Sequence, residues 1–396
     1  MRRYVDALVG AGARVDVLCL RERVSVEPRD GVRIFTIPLG YDRRSEGRFL
    51  LEYGVALLLF TVRLLALYVK NRYHLIQVHN IPDFLVFTAL IPRMFGSKLI
   101  LDNRDPMPEF YRSKFAGCRE NGMIIRLIEA QEKLSAMLVD AVITANTAFK
   151  DNLVNRGTPA EKIVVINNLP DPEVFDRERY SRAKRDPARP FTLIYPGTIA
   201  PRYGLEVAIR ALPTLRVTIP NIRLIIIGAQ TEHASELARL AEQLDVSSLV
   251  QLKDAVPLDD VPRHLAAADV GIYPALPDPH MSIATPTKVL EYVAMGLPVV
   301  ASRLRVLEAL FDKESVLFFE PGDVEGFARG VLELAHNPAR RHELMGQADR
   351  AFVRRHRWHD ERCLYLDVLN TLLPPDSRPL RLETSAAMCA GTGLTS

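Results

Sequence analysis

Thr285–Ser302 reads TPTKVLEYVAMGLPVVAS. Thr285 or Thr287 can cap a helix, Pro286 suits its first turn, and Gly296 closes it. The apolar run PVVAS then reads as a strand. Just upstream, AAADVGIYP (266–274) ends another such run, so the helix begins at a strand's carboxyl end. Strand, helix and strand in succession make the repeating unit of a parallel sheet.

The same alternation extends in both directions. The first half carries ARVDVLCL, VRIFTI, HLIQVH, SKLILD, DAVITA and KIVVIN, most of them separated by helix-compatible stretches. After the stretch RAKRDPARP, near Asp186, the pattern restarts with FTLIYP, IRLIII, SLVQL, DVGIYP, PVVAS and SVLFFE. TEHASELARLAEQL has a helical apolar stripe, and DVEGFARGVLELAH opens on an Asp cap. The expectation is two α/β, doubly wound domains, residues 1–185 and 190–355, a last helix over 356–373, and a disordered tail over 374–396.

A chain of 396 residues exceeds one hydrophobic core, which agrees with two domains. With 48% hydrophobic and 25% charged residues the composition is that of a folded protein. A net charge of +3 is too small for a nucleic-acid surface, so no nucleic-acid partner is expected. Cys19, Cys118, Cys363 and Cys389 are scattered without disulfide or zinc spacing, which suits a reducing compartment. MRRYVDALVGAGARVDVL lacks the continuous apolar core of a signal peptide, so a cytoplasmic location is expected. FLLEYGVALLLFTVRLLALYVKNR, from Phe49, is long enough to span a bilayer, but Glu52 and Arg63 interrupt it. A buried or interfacial helix is expected there, with peripheral membrane contact open to it.

VGAGARV imitates a dinucleotide fingerprint, but Gly10 and Gly12 follow a helix and Val15 stands where a third glycine belongs. Glycines ending a helix account for it. There is no Asp-x-Asp pair and no His-Glu-x-x-His, so metal-independent chemistry without a cofactor is expected. His356 and His359 have metal-compatible spacing, but an exposed amphipathic helix is their expected setting.

Unpaired amides at a helix start favour an anion, and in an open parallel sheet ligands bind beyond the strands' carboxyl ends. Lys288 in the first turn opposes the helix dipole unless something negative faces it, as a diphosphate would. Glu291, on the same face, can accept from the vicinal hydroxyls of a ribose. The competing reading is a surface ion pair between the two, contributing about 0.3 to 0.5 kcal/mol. In YPGTIAPRYGLEVAIRAL, Gly197 makes the turn after a strand and Arg202 emerges on the ligand side, where a guanidinium can grip phosphate oxygens. HNIPDF places His79 and Asn80 at a strand end, and LILDNRDPMPEFY places Asp102, Arg104, Asp105 and Glu109 beyond the next.

Together these segments resemble glycosyltransferase family 4, retaining sugar transferases of the GT-B fold. The resemblance runs from Arg2 to about Leu373. It implies two Rossmann-like domains facing across a cleft, with the C-terminal helix crossing back to the N-terminal domain. It further implies a nucleotide diphosphate sugar as donor and a glycan or lipid-linked acceptor, in cell-surface polysaccharide assembly. By the same resemblance His79, Arg202 and Lys288 are catalytic; Gly197, Arg202, Thr287, Lys288 and Glu291 bind the donor; Asn80, Asp105 and Glu109 lie on the acceptor or sugar side.

The sequence departs from the family in four places. The first of two glutamates seven residues apart falls at Ile283, a lysine before the helix glycine is Tyr203, and a histidine before Asp105 is Arg104. A doubly wound domain also begins with a central strand, whereas Arg2–Val9 reads as a helix leading into ARVDVLCL. The sequence therefore lacks a first strand and glycine turn, which leaves its neighbours unpaired. A mis-assigned start or a decayed, non-catalytic nucleotide-sugar-binding relative are the alternatives that follow.

Overall fold

The structure, a computed structural model, describes residues 1–20, 30–39, 46–114, 122–180, 189–353 and 357–373. The expected linker around Asp186, His356 and the tail 374–396 lie outside the described residues. All twelve apolar runs are strands: β1 (Val15–Leu20), β2 (Val32–Ile37), β3 (Leu75–His79), β4 (Lys98–Asn103), β5 (Ala141–Thr144), β6 (Ile163–Val165), β7 (Phe191–Pro196), β8 (Ile222–Ile227), β9 (Val250–Lys253), β10 (Val270–Tyr273), β11 (Val299–Ser302) and β12 (Leu317–Phe319).

The chain forms two compact units, Met1–Asn167 with His359–Ser396, and Asn168–Trp358. The division comes earlier than residue 185. Leu169, Val174 and Phe175 are apolar residues of the intervening stretch that bury themselves in the core of the second unit, and burial decides membership.

The second unit is one six-stranded parallel sheet ordered β12-β11-β10-β7-β8-β9. Its first strand, β7, is central, pairing Leu193 with Leu224 of β8 and with Val270 of β10. All six β7 residues are buried, as expected of a strand covered on both faces. Truncating Leu193 or Ile194, each fully buried, to alanine costs about 2 to 5 kcal/mol. Capping chemistry sets the helices around it. Thr231 accepts from the amide of Ala234, and Asp323 from that of Gly326.

The first unit holds two parallel sheets, β1-β2 and β3-β4-β5-β6. Arg2–Gly10 is a helix, as its sequence indicates. The last helix, Trp358–Leu372, belongs to this unit from His359 onward. Its Glu361 accepts from the amide and the Nδ2 of Asn167 at 2.9 and 2.7 Å, and its Tyr365 hydroxyl donates to Gln77 at 2.7 Å. The apolar helix Glu46–Asn71 buries Tyr53, Ala56, Leu64, Leu67 and Tyr68, while Leu58, Val62 and Val69 are exposed. It is one-sided, and its stretch Glu52–Asn71 is long and apolar enough to cross a membrane.

Candidate functional site

In the second unit the strand order reverses between β10 and β7, the position beyond whose carboxyl ends an open parallel sheet binds ligands. Both candidate clusters come from these two strands. Gly197 and Arg202 follow β7; Lys288 and Glu291 follow β10 on the helix Thr287–Ala294. Gly197 has φ +143°, and a Cβ there would collide with the Lys288 side chain. Gly204, φ +58°, begins the helix Leu205–Thr218, where a Cβ would strike the carbonyl of Pro274. The two glycines let the β7 loop lie close beneath Lys288.

The cations rest on aromatic rings. Lys288 Nζ lies 4.8 Å from the centre of the Tyr203 ring and 5.4 Å from that of Tyr195, and Arg202 Cζ lies 5.1 Å from Tyr203. Such contacts contribute about 0.5 to 2 kcal/mol each and hold a cation without neutralising it. Among the described residues neither side chain has a hydrogen bond or ion pair, and Arg202 Nε is buried without a partner. The alternative of a surface ion pair between Lys288 and Glu291 is therefore not what the side chains do. Two unneutralised, half-buried cations, one in the first turn of a helix and one on the loop beside it, have the chemistry to hold an anion.

Glu291 is half-buried, and burial pushes its carboxyl up to about 7, with Lys288 pulling the other way. Tyr195, Tyr273 and Tyr292 are buried beneath, their hydroxyls raised well above the usual tyrosine range by burial. One expectation is corrected. Pro286, and neither threonine, stands at the N-cap, and no side chain caps the helix; Thr287 is its first residue. A proline locks the entry angle but has no side-chain acceptor; its carbonyl accepts from the amide of Val289 at 3.0 Å.

In the first unit His79 ends β3, with Nδ1 2.8 Å from Asp102 Oδ2 on β4. The contact is close but lacks hydrogen-bond geometry. Arg104 Nε donates to the other oxygen of Asp102 at 2.7 Å and its guanidinium to the Tyr4 hydroxyl; burial lowers the Arg104 pKa to about 10. Asn80 is spent within the protein. Its Oδ1 accepts from the amides of Arg104 and Asp105, and its Nδ2 donates to the carbonyl of Asp105 at 2.6 Å. It sets the loop that carries Asp105.

Glu109 is also engaged: Oε1 accepts from Arg156 at 2.7 Å and from Asn152 at 3.1 Å, and Arg156 clasps Glu132 at 2.5 and 2.9 Å. Glu109 thus belongs to a buried charge network, with only Oε2 left over. Asp83 of HNIPDF, fully buried with Asn103 donating to it at 3.2 Å, was not singled out from the sequence. Burial, reinforced by Glu132, pushes its carboxyl up to about 8. Nor were Tyr195 and Tyr203 singled out as supports; their nearness to Arg202 in YPGTIAPRY was the available signal. Among the described residues no group of three His, Cys, Asp or Glu side chains is arranged to hold a metal.

Two family models match successive parts of the chain. One described as "Glycosyl transferases group 1" matches residues 190–337, and one described as "Glycosyl transferase 4-like domain" matches residues 1–168. A mannosyltransferase of Mycolicibacterium smegmatis, named as GDP-mannose-dependent and acting on a phosphatidylinositol monomannoside, is 31% identical over 46% of this chain and 46% of its own length. A glycogen synthase of Mycobacterium tuberculosis is 29% identical over 55% and 51%. The chain thus matches about half the length of these curated relatives. Among solved structures, a sucrose-phosphate synthase of Thermosynechococcus elongatus aligns with TM-score 0.73 at 18% identity, covering 94% of this chain and 92% of that one. HepE of Anabaena, in complex with UDP, aligns with TM-score 0.61 at 17% identity over 86% of each chain. These likenesses give the GT-B fold, and with both family models in their expected order the chain belongs to the family 4 type of glycosyltransferases.

Proposed function

We propose that the protein is a transferase that moves a sugar, with retention and without a metal ion, from a nucleotide diphosphate sugar to a glycan or lipid-linked acceptor. The observation that carries this reading is the pair of unneutralised cations, Lys288 in the first turn of the helix Thr287–Ala294 and Arg202 on the loop beside it. The diphosphate sits there, and Glu291 takes the ribose hydroxyls. As the glycosidic bond breaks, the leaving diphosphate gains charge, so these groups stabilise the transition state more than the ground state. His79, close to Asp102, is assigned to the transferred sugar, and Asp105 to the acceptor side; Glu109, expected there from the sequence, is held inside the buried network with Arg156. Relatives named as mannosyltransferase and glycogen synthase support sugar transfer.

The test is turnover. The chain is incubated in EDTA with UDP- and GDP-sugars and candidate glycan or lipid-linked acceptors, and products are examined by NMR for anomeric configuration. An axial-linked product from an axial donor is expected. Inversion, or dependence on added divalent ions, contradicts the reading. Donor binding without transfer to any acceptor would favour a second reading, a nucleotide-sugar-binding protein without transferase activity, which Ile283, standing at the place of a family glutamate, supports.

The setting that fits is the cytoplasmic face of the membrane, in surface polysaccharide assembly. The exposed side of the helix Glu46–Asn71, with Leu58, Val62 and Val69, provides apolar contact area. Flotation with vesicles checks this: Val62→Glu should reduce co-flotation, and equal flotation of both proteins contradicts it.

A further inference from the structure

Arg202 and Lys288 follow different strands and meet at one side chain. The Tyr203 ring centre lies 5.1 Å from Arg202 Cζ and 4.8 Å from Lys288 Nζ. Lys288 also lies 5.4 Å from the Tyr195 ring, but among the described rings Tyr203 is the one that both cations touch. Two like charges against one ring stand within about 10 Å of each other, a Debye length at 0.1 M salt, so they repel. Among the described residues neither is paired with a carboxylate. What holds them together is the negative face of the ring.

The fold gives that ring little freedom. Its centre is 5.9 Å from that of Tyr195 in β7 and 6.5 Å from that of Tyr273, the last residue of β10, and both of those rings are buried. The loop that carries it is pinned as well. The Tyr203 amide donates to the carbonyl of Ala200 at 3.0 Å, and the Leu276 amide to the carbonyl of Arg202 at 2.9 Å. Gly204 passes so close to the Pro274 carbonyl that a Cβ would collide with it. Tyr203 thus wedges the two strands between which the order reverses. It stands where the family carries a lysine, so the ring between two cations is this chain's own arrangement.

We propose that Tyr203 is the positioning residue of the donor site: its ring holds Arg202 and Lys288 charged and apart, so that a ligand satisfies both only with two linked phosphates. This rests on the diphosphate reading above. A guanidinium grips phosphate through the N–H groups along its edge and an ammonium through three rotating donors, so both bind without leaving the ring. With the ring gone, the repelling side chains turn out into water, and a ligand has to gather them again against their rotamer entropy. A monophosphate engages one cation and gains little from the arrangement. A diphosphate engages both and cancels their repulsion. Tyr203 therefore sets the preference for diphosphate over monophosphate as well as the affinity.

The test replaces Tyr203 in the full 396-residue chain by phenylalanine and by its mono-, di- and trifluorinated forms, which keep the ring's shape while withdrawing charge from its face. Titration calorimetry with UDP, UMP, GDP and GMP reads the outcome, and thermal melts report that each variant is folded. Tyr203→Phe should bind the preferred diphosphate within about threefold of wild type. Affinity should then fall with each fluorine, by about fivefold or more across the series, while affinity for the matching monophosphate stays within about twofold. Tyr203→Leu, which has no ring, should lose about tenfold or more toward the diphosphate; if it does not fold, the fluorine series decides alone. A flat series, or equal losses toward diphosphate and monophosphate, overturns the proposal and leaves the diphosphate site standing. Wild-type protein that binds neither UDP nor GDP overturns both together.

Discussion

The side chain of Lys288 lies across Gly197, with Nζ 2.8 Å from where a Cβ would stand on that glycine. A backbone carbonyl loop and an ammonium thus share a space that only glycine leaves open. Gly197→Ala forces the lysine aside and also places a side chain at φ +143°, a strained conformation. Affinity for a nucleotide diphosphate sugar should fall at least tenfold, about 1.4 kcal/mol, by titration calorimetry. Unchanged affinity contradicts a site built on this approach.

Glu291 supplies a pH test. Its carboxyl, pushed up to about 7 by burial, is neutral at pH 6 and ionised at pH 8. Only the carboxylate offers acceptors to both hydroxyls of a ribose. Donor affinity should therefore rise between pH 6 and 8, and Glu291→Gln should bind more weakly and without that rise. A wild-type profile retained in the variant contradicts the assignment.

Much of this was legible in the sequence because each strand is a short run of β-branched residues and each helix has a cap or glycine stop. The candidates Gly197, Arg202, Lys288 and Glu291 converge because they follow two strands that happen to be neighbours, β7 and β10. Spacing alone does not give that adjacency. Asn80 and Glu109 read as ligands at strand ends because their partners, Asp105 and Arg156, are 25 and 47 positions away. The proline at the N-cap was hidden for a related reason: threonines on both sides of it suggest capping, whereas a side-chain bond depends on local backbone geometry. Asp83 looked like an ordinary loop acid, since burial is a property of the fold.

Asp83 ties pH to stability. Its pKa rises from 3.8 to about 8 on folding, so between those values the folded chain holds a proton that the unfolded chain has released. Its contribution to stability therefore falls as pH rises from about 4 to about 8 and is level above that. Asp83→Asn, neutral at every pH, should be close to wild type near pH 4 and increasingly more stable than it as pH rises to about 8, measured by urea unfolding. An equal difference at both pH values contradicts a protonated Asp83.

The most direct measurement is donor-induced thermal stabilisation of the doubly substituted protein Lys288→Met, Arg202→Met. A ligand at about 100 times its Kd stabilises the wild-type chain by about 2.7 kcal/mol. The account predicts that the same concentrations of UDP- and GDP-sugars leave the variant's melting temperature almost unmoved, although it melts cooperatively on its own. A shift equal to that of wild type would show that the diphosphate binds elsewhere.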